Sequence, residues 1–242
     1  MRRTTALAAA LLATTLTTPP ARAAIDPRDF GIWAGYVARN DSRPTHFFGS
    51  VYAEWTVPPV TCKHSKDLYA AWVGLGGGTP TDDWLVQGGT VTDCKTPDGR
   101  PRHYAFYEAV RPQGTPSPPV RVRNAVDTND RIVASVSYDR RTTWVVTVSN
   151  TTKGWQFSKT YDNLEVGPSS AEAVVESPAH NYPDFGNVSF QSVAVDGLPI
   201  SRANPEKWRA FDSKDMLIEA EPGSIATTPA GKDGFPVFWR RE

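Results

Sequence analysis

Two short runs of this chain end on a polar side chain that could do chemistry. Trp84-Leu85-Val86-Gln87-Gly88-Gly89 carries Gln87, and Ala171-Glu172-Ala173-Val174-Val175-Glu176 carries Glu176, each in a stretch that otherwise reads as buried β-structure. A carboxylate at the end of such a run is costly unless it has a partner or a task. Brought together, a carboxylate and an amide can hydrolyse a peptide bond, the carboxylate taking a proton from water and the amide N–H holding the developing oxyanion. Other catalytic patterns are missing. There is no H-E-x-x-H, and the four histidines, His46, His64, His103 and His180, stand far apart in sequence, which argues against a zinc site. No G-x-S-x-G marks a serine nucleophile. The glycine run Gly74-Leu75-Gly76-Gly77-Gly78 leads into Thr79-Pro80 and another strand instead of a helix, so it reads as a loop and not as a phosphate cradle.

The elements that must position these residues have a period of two. Val51, Ala53, Trp55 and Val57 alternate with Tyr52, Glu54 and Thr56; Ile132, Ala134 and Val136 alternate with Val133, Ser135 and Ser137; Val188, Phe190 and Val193 anchor another run. Further strands are predicted over 68–75, 104–110, 120–123, 143–148, 156–161, 215–220 and 235–239. Turn chemistry separates them, as in Pro97-Asp98-Gly99, Pro112-Gln113-Gly114 and Asp196-Gly197. With 18 Gly and 21 Pro, long helices have few places to form. One short helix is predicted, with Asn204 as N-cap, Pro205 at the first helical position, and Glu206 to about Ser213 as its body. Short strands without αβ alternation predict an all-β fold, a lectin-like sandwich of two packed antiparallel sheets with at most one or two short helices. Along an extended run Leu85 and Gln87 share a face, as do Glu172, Val174 and Glu176, so each strand can present its polar residue to a common groove.

The 242 residues suit one large domain, predicted at 24–242. Residues 1–23 read as a signal peptide: Met1-Arg2-Arg3 is basic, residues 6–16 are short and apolar, and Ala21-Arg22-Ala23 fits the small-x-small cleavage pattern. The protein is therefore expected to be secreted. Lys plus Arg and Asp plus Glu each total 26, with no basic stripe or acidic tail, so neither nucleic acid nor a membrane is expected as a partner. In an exported chain the two cysteines, Cys62 and Cys94, suggest one disulfide, the alternative being two unrelated buried thiols. No metal or other cofactor is expected.

Seven blocks, in order, carry a family resemblance: Trp33-Ala34-Gly35-Tyr36, Ala53-Glu54-Trp55-Thr56-Val57-Pro58, Trp72-Val73-Gly74-Leu75, Leu85-Val86-Gln87-Gly88-Gly89, Tyr107-Glu108, Asn129-Asp130-Arg131-Ile132 and the run ending in Glu176. Across essentially the whole mature chain the sequence resembles the glutamic peptidases, or eqolisins (family G1). The resemblance implies a metal-independent endopeptidase, working at acidic pH on polypeptide substrates, with a Gln/Glu dyad on a concave sheet face; the chain is expected to be a monomer. The family's glutamine corresponds to Gln87 and its glutamate to Glu176. Trp72 and Glu108 resemble residues that line the family's active site, although by themselves they read equally well as ordinary core and surface residues.

Two departures fall near that site. Fungal members often carry Asp two residues after W-V-G, where this chain has Gly76, and an acidic residue before the A-W-Y-E block, where it has Tyr104. Gly76 and Tyr104 are counted here among the substrate-binding positions, and fewer carboxylates predict an optimum less acidic than the family's. The short interval between the expected cleavage site and Trp33 leaves no room for a long propeptide. Two other classes fit the pattern less well. A glycoside hydrolase could pair Glu108 with Glu176, with Trp72, Trp84 and Phe106 as sugar platforms. A non-catalytic, lectin-like binder would use some of the eight Trp and eight Tyr.

Overall fold

The structure, a computed structural model, describes residues 31–40, 47–80, 82–111, 118–164, 166–178, 180–212 and 217–240. The expected signal peptide, most of the 112–119 loop and the start of the strand predicted at 215 lie outside the described residues. Two antiparallel sheets pack face to face, as the period-two pattern requires. In spatial order the first sheet runs Glu206–Trp208 (β13), Trp33–Arg39 (β1), Ser170–Glu176 (β10), Leu68–Leu75 (β3), Leu85–Asp93 (β4), Arg102–Val110 (β5) and Val120–Ala125 (β6). The second runs Ala210–Phe211 (β14), Ile218–Pro222 (β15), Asp233–Trp239 (β17), Asn187–Val195 (β11), Ser50–Thr56 (β2), Arg131–Tyr138 (β7), Trp144–Asn150 (β8) and Trp155–Tyr161 (β9). Leu198–Pro199 (β12) pairs with β11, and Ala226–Thr227 (β16) with β17.

Alternation decides what enters the core between the sheets. Ile132, Ala134 and Val136 of β7 and Trp144, Val146 and Val148 of β8 are buried there, while their neighbours in sequence are more exposed. Trp55 of β2 reaches across, its Nε1 donating to Thr90 Oγ1 of β4 at 3.1 Å. Gly88 of β4 lets the sheets close, since a Cβ there would stand 2.5 Å from a Val146 methyl. The uneven spacing of Val188, Phe190 and Val193 is a β-bulge: the register of β11 shifts against both β17 and β2, with Ser192 at a φ of 52°.

The first sheet is covered on its other face too, which is why β3 and β10 are buried at nearly every position. There Trp33, Trp72, Leu85, Val91, Phe106 and Val174 belong to a second apolar cluster. Such a face can hold a polar residue in a dry setting without opening the main core.

One predicted element is corrected. The helix expected from Glu206 is strand β13, which adds to the edge of β1 with Val37 opposite Glu206 and Gly35 opposite Trp208. The helical turn lies earlier, as a 3-10 segment at Ile200–Ala203, and Asn204, at a φ of 48°, closes that turn instead of opening a helix. Tertiary pairing has overridden the local Asn-Pro signal.

Cys62 and Cys94 form a disulfide, with Cα atoms 5.6 Å apart and a sequence separation of 32. It ties the end of β4 to the segment where Thr61 bridges Asp184. Cys62→Ser with Cys94→Ser should lower stability by about 3 kcal/mol. Urea unfolding checks this, and an unchanged midpoint would show that the bridge is dispensable.

Candidate active site

Antiparallel register places the candidate residues on one sheet face, the one turned away from the second sheet. One row across the strands reads Val37, Glu172, Gly74, Gln87 and Glu108; the next reads Gly35, Val174, Trp72, Gly89 and Phe106; the third reads Trp33, Glu176, Ala70, Val91 and Tyr104. Gln87 and Glu176 therefore stand in different rows on strands separated by β3. Both side chains line a single cleft of about 500 Å3, with Leu85, Phe106, Tyr104 and Glu108 among its walls.

Each of the two polar groups is held by a neighbour. The Gln87 amide Nε2 donates to Glu108 Oε2 at 2.7 Å. Its Oε1 is buried and has no hydrogen-bond partner among the described residues. Trp72 Nε1 donates to Glu176 Oε2 at 2.9 Å. Trp72 is itself fixed: its ring meets Trp33 edge-on at 4.9 Å, and the absence of a side chain at Gly74 makes room for it, since a Cβ there would lie 2.7 Å from the ring.

The electrostatics of the site follow from its dryness. Burial pushes the Glu176 carboxyl up to about 7, against the indole donors of Trp72 and Trp33, which favour the ionised form, and with a smaller push from the charge of Glu108. Burial also raises the Glu108 carboxyl, while its bond from Gln87 works the other way. Glu172, completely buried in the same row as Gln87, is raised well above the usual carboxylate range by burial. Among the described residues no group of three or more His, Cys, Asp or Glu side chains could hold a metal ion.

Of the residues named from the sequence, Gln87, Glu176, Trp72, Glu108 and Tyr104 are brought to this face. Gly76 is not among the residues that line the cleft. It sits just past β3 at a φ of 82°, its N–H bonded to the Ser170 carbonyl at 2.9 Å, and a Cβ there would run into the Trp84 carbonyl. Sequence reasoning assigned no role to Trp33, which helps hold Glu176, and gave Phe106 one only as a sugar platform in the glycosidase alternative, not as part of an apolar floor with Leu85 and Val91. The alternation of β4 and β5 carried that second signal, but the facing partner of each strand was not legible.

The model of the Peptidase A4 family matches residues 31–206. Among solved structures, scytalido-glutamic peptidase with a transition-state-analogue inhibitor is similar at 19% identity and a TM-score of 0.66, over 86% of this chain and 98% of that one. SCP-B, a member of the eqolisin family in complex with the tripeptide Ala-Ile-His, is similar at 18% identity and a TM-score of 0.63, with the same 86% and 98% covered. Aspergilloglutamic peptidase from Aspergillus niger is 21% identical, with a TM-score of 0.56 over 72% of this chain and 100% of that one. No curated protein matches the chain. At these identities the solved structures share the fold.

Proposed function

The chain belongs to the peptidase A4 family of glutamic peptidases, and we propose that it is a secreted, monomeric endopeptidase that cleaves polypeptides by direct attack of water, with Gln87 and Glu176 as the catalytic pair. The observation that carries this reading is their convergence on one cleft, each oriented by a separate neighbour. Export is supported by the leader-like residues 1–23 and by the disulfide, which suits an oxidising compartment.

In the proposed reaction, ionised Glu176 takes a proton from a water lying between it and the scissile carbonyl as the water oxygen bonds to the carbonyl carbon. The Gln87 amide, whose Oε1 has no hydrogen-bond partner among the described residues, positions this water. The Nε2 hydrogen not given to Glu108 donates to the developing oxyanion. As the carbon–nitrogen bond breaks, protonated Glu176 passes its proton to the leaving amine and returns to the carboxylate. Glu108 contributes by holding the amide in this orientation. The scheme uses no acyl-enzyme and no metal.

The raised Glu176 carboxyl fixes the sign of the pH dependence. Below about 7 the group holds its proton and cannot act first as a base. In the free enzyme kcat/KM should therefore fall about tenfold for each pH unit below that value and level off above it. Burial, more than neighbouring carboxylates, moves the working range from the strongly acidic toward the neutral side. Trp72→Phe removes a donor that favours the carboxylate, so this limb should move upward by about one pH unit. A maximum below roughly pH 4 would mean that Glu176 works first in its protonated form, which would overturn the order of proton transfers.

The direct test is digestion of an unfolded protein by the purified mature chain across roughly pH 2–8, with pepstatin and a chelator as controls. Cleavage that survives both inhibitors and vanishes in Glu176→Gln supports the reading. No cleavage at any pH by a folded wild-type protein would overturn it.

A further inference from the structure

The outermost strand of the catalytic sheet carries a charge that the proposed chemistry does not use. Arg121 of β6 lies opposite Phe106 of β5, a residue of the cleft floor, so its side chain leaves the sheet on the cleft side. Its guanidinium lies over the Tyr104 ring, 4.8 Å from the centre, and Tyr104 is a wall of the cleft. The Tyr104 hydroxyl is close enough to feel the charges of Asp93, Arg121 and Arg102.

The ion pairs nearby leave Arg121 over. Arg102 is bonded to Asp93 at 3.2 Å, Arg100 stands 3.9 Å from Asp98, and Asp127 is taken by Lys153 at 2.7 Å. Asp98, Arg100, Arg102 and Asp127 line, together with Arg121, a depression separate from the cleft that holds Gln87 and Glu176. Arg121 itself is exposed and ion-paired to no carboxylate among the described residues. A guanidinium held over an aromatic ring keeps N–H donors free for a carboxylate, and the contact reduces the rotamer freedom lost on binding.

We propose that Arg121, held on Tyr104, forms a subsite for an acidic side chain of the polypeptide substrate and so sets a preference for Asp or Glu on one side of the scissile bond. The inference rests on the Gln87/Glu176 reading for where that bond lies. From Gln87 on β4 to β6 is two strand spacings, and with the step along the strand the path is roughly 10–12 Å, or about three residues of extended peptide. An acidic residue of the substrate is ionised above about pH 5, within the range where Glu176 begins to lose its proton.

The test uses quenched fluorescent peptides that differ only in Glu, Gln or Lys at each position within about four residues of the cleaved bond, assayed near pH 6.5. At one position the wild type should favour Glu over Gln by about three- to fivefold in kcat/KM, a ratio that shrinks in added salt. Arg121→Gln should bring the ratio to one, Arg121→Glu should turn the preference toward Lys, and Arg123→Gln, one exposed position removed, should keep the wild-type ratio. Binding of the same peptides to Glu176→Gln protein, followed by fluorescence anisotropy, reads the subsite without turnover. Equal binding of Glu and Gln peptides there, or a Glu preference that survives Arg121→Gln, would overturn the proposal. Failure to cleave any peptide while the Glu preference persists in binding would instead count against the catalytic pair alone.

Discussion

Glu176→Gln should reduce turnover by about 10⁴-fold or to background, because one carboxyl serves as both the base and the acid of the reaction. The substitution is conservative in shape. The glutamine oxygen can still accept the bond from Trp72 Nε1 that Glu176 Oε2 now accepts, and the neutral amide resembles the protonated carboxyl that the site already favours. Stability separates lost chemistry from lost folding. A carboxyl whose folded value lies above its unfolded one binds its proton more tightly in the folded state. Its contribution is fully present below the unfolded value of about 4.3 and is lost as pH rises through about 7. The variant should therefore match the wild type in thermal unfolding under acid conditions and be at least as stable above neutrality. A folded variant that keeps a tenth or more of wild-type activity would remove Glu176 from the centre of the mechanism.

Gln87→Ala should cost about 10²–10³ in kcat, with little change in KM, since the lost amide interacts most strongly with charge that develops only in the transition state. The loss is smaller than for Glu176 because water can still be activated without its orienting partner. The same variant separates two chemistries that the cleft could house. If Glu108 and Glu176 were a sugar-cleaving pair, Gln87→Ala would matter little and Glu108→Gln would be fatal to glycoside hydrolysis. In the peptidase reading Glu108 orients the amide through its 2.7 Å bond, so Glu108→Gln should do less harm than Gln87→Ala. Equal, mild effects of Gln87→Ala and Glu176→Gln on peptide cleavage would sink the assignment of both.

Particular residues mark where the sequence could be read and where it could not. The alternations around Trp55, Ala134 and Phe190 announced half-buried strands, and these are where the sheets pack. The bulge after Phe190, where two apolar positions stand three residues apart, was not read from that alternation and came only with the register of β11. Asn204-Pro205 misled because a local start signal is weaker than the edge that β1 offers to Glu206–Trp208. For the cleft, parity was enough to say that Gln87 shares a face with Leu85, and Glu176 with Glu172 and Val174.

What the sequence by itself determined is the strand pattern, the two-sheet class, the cysteine pair and which polar residues could be presented on one side of their own strands. All of these follow from periodicity two and from residue type, which are local properties. Only the tertiary structure decided that Glu108 stands opposite Gln87, that Trp33 and Trp72 hold Glu176, that Gly76 is not among the residues lining the cleft, and that Arg121 lies over Tyr104. Strand order and register are long-range choices. They are set by how two sheets of fixed twist bury their apolar faces together, and no single segment carries that information.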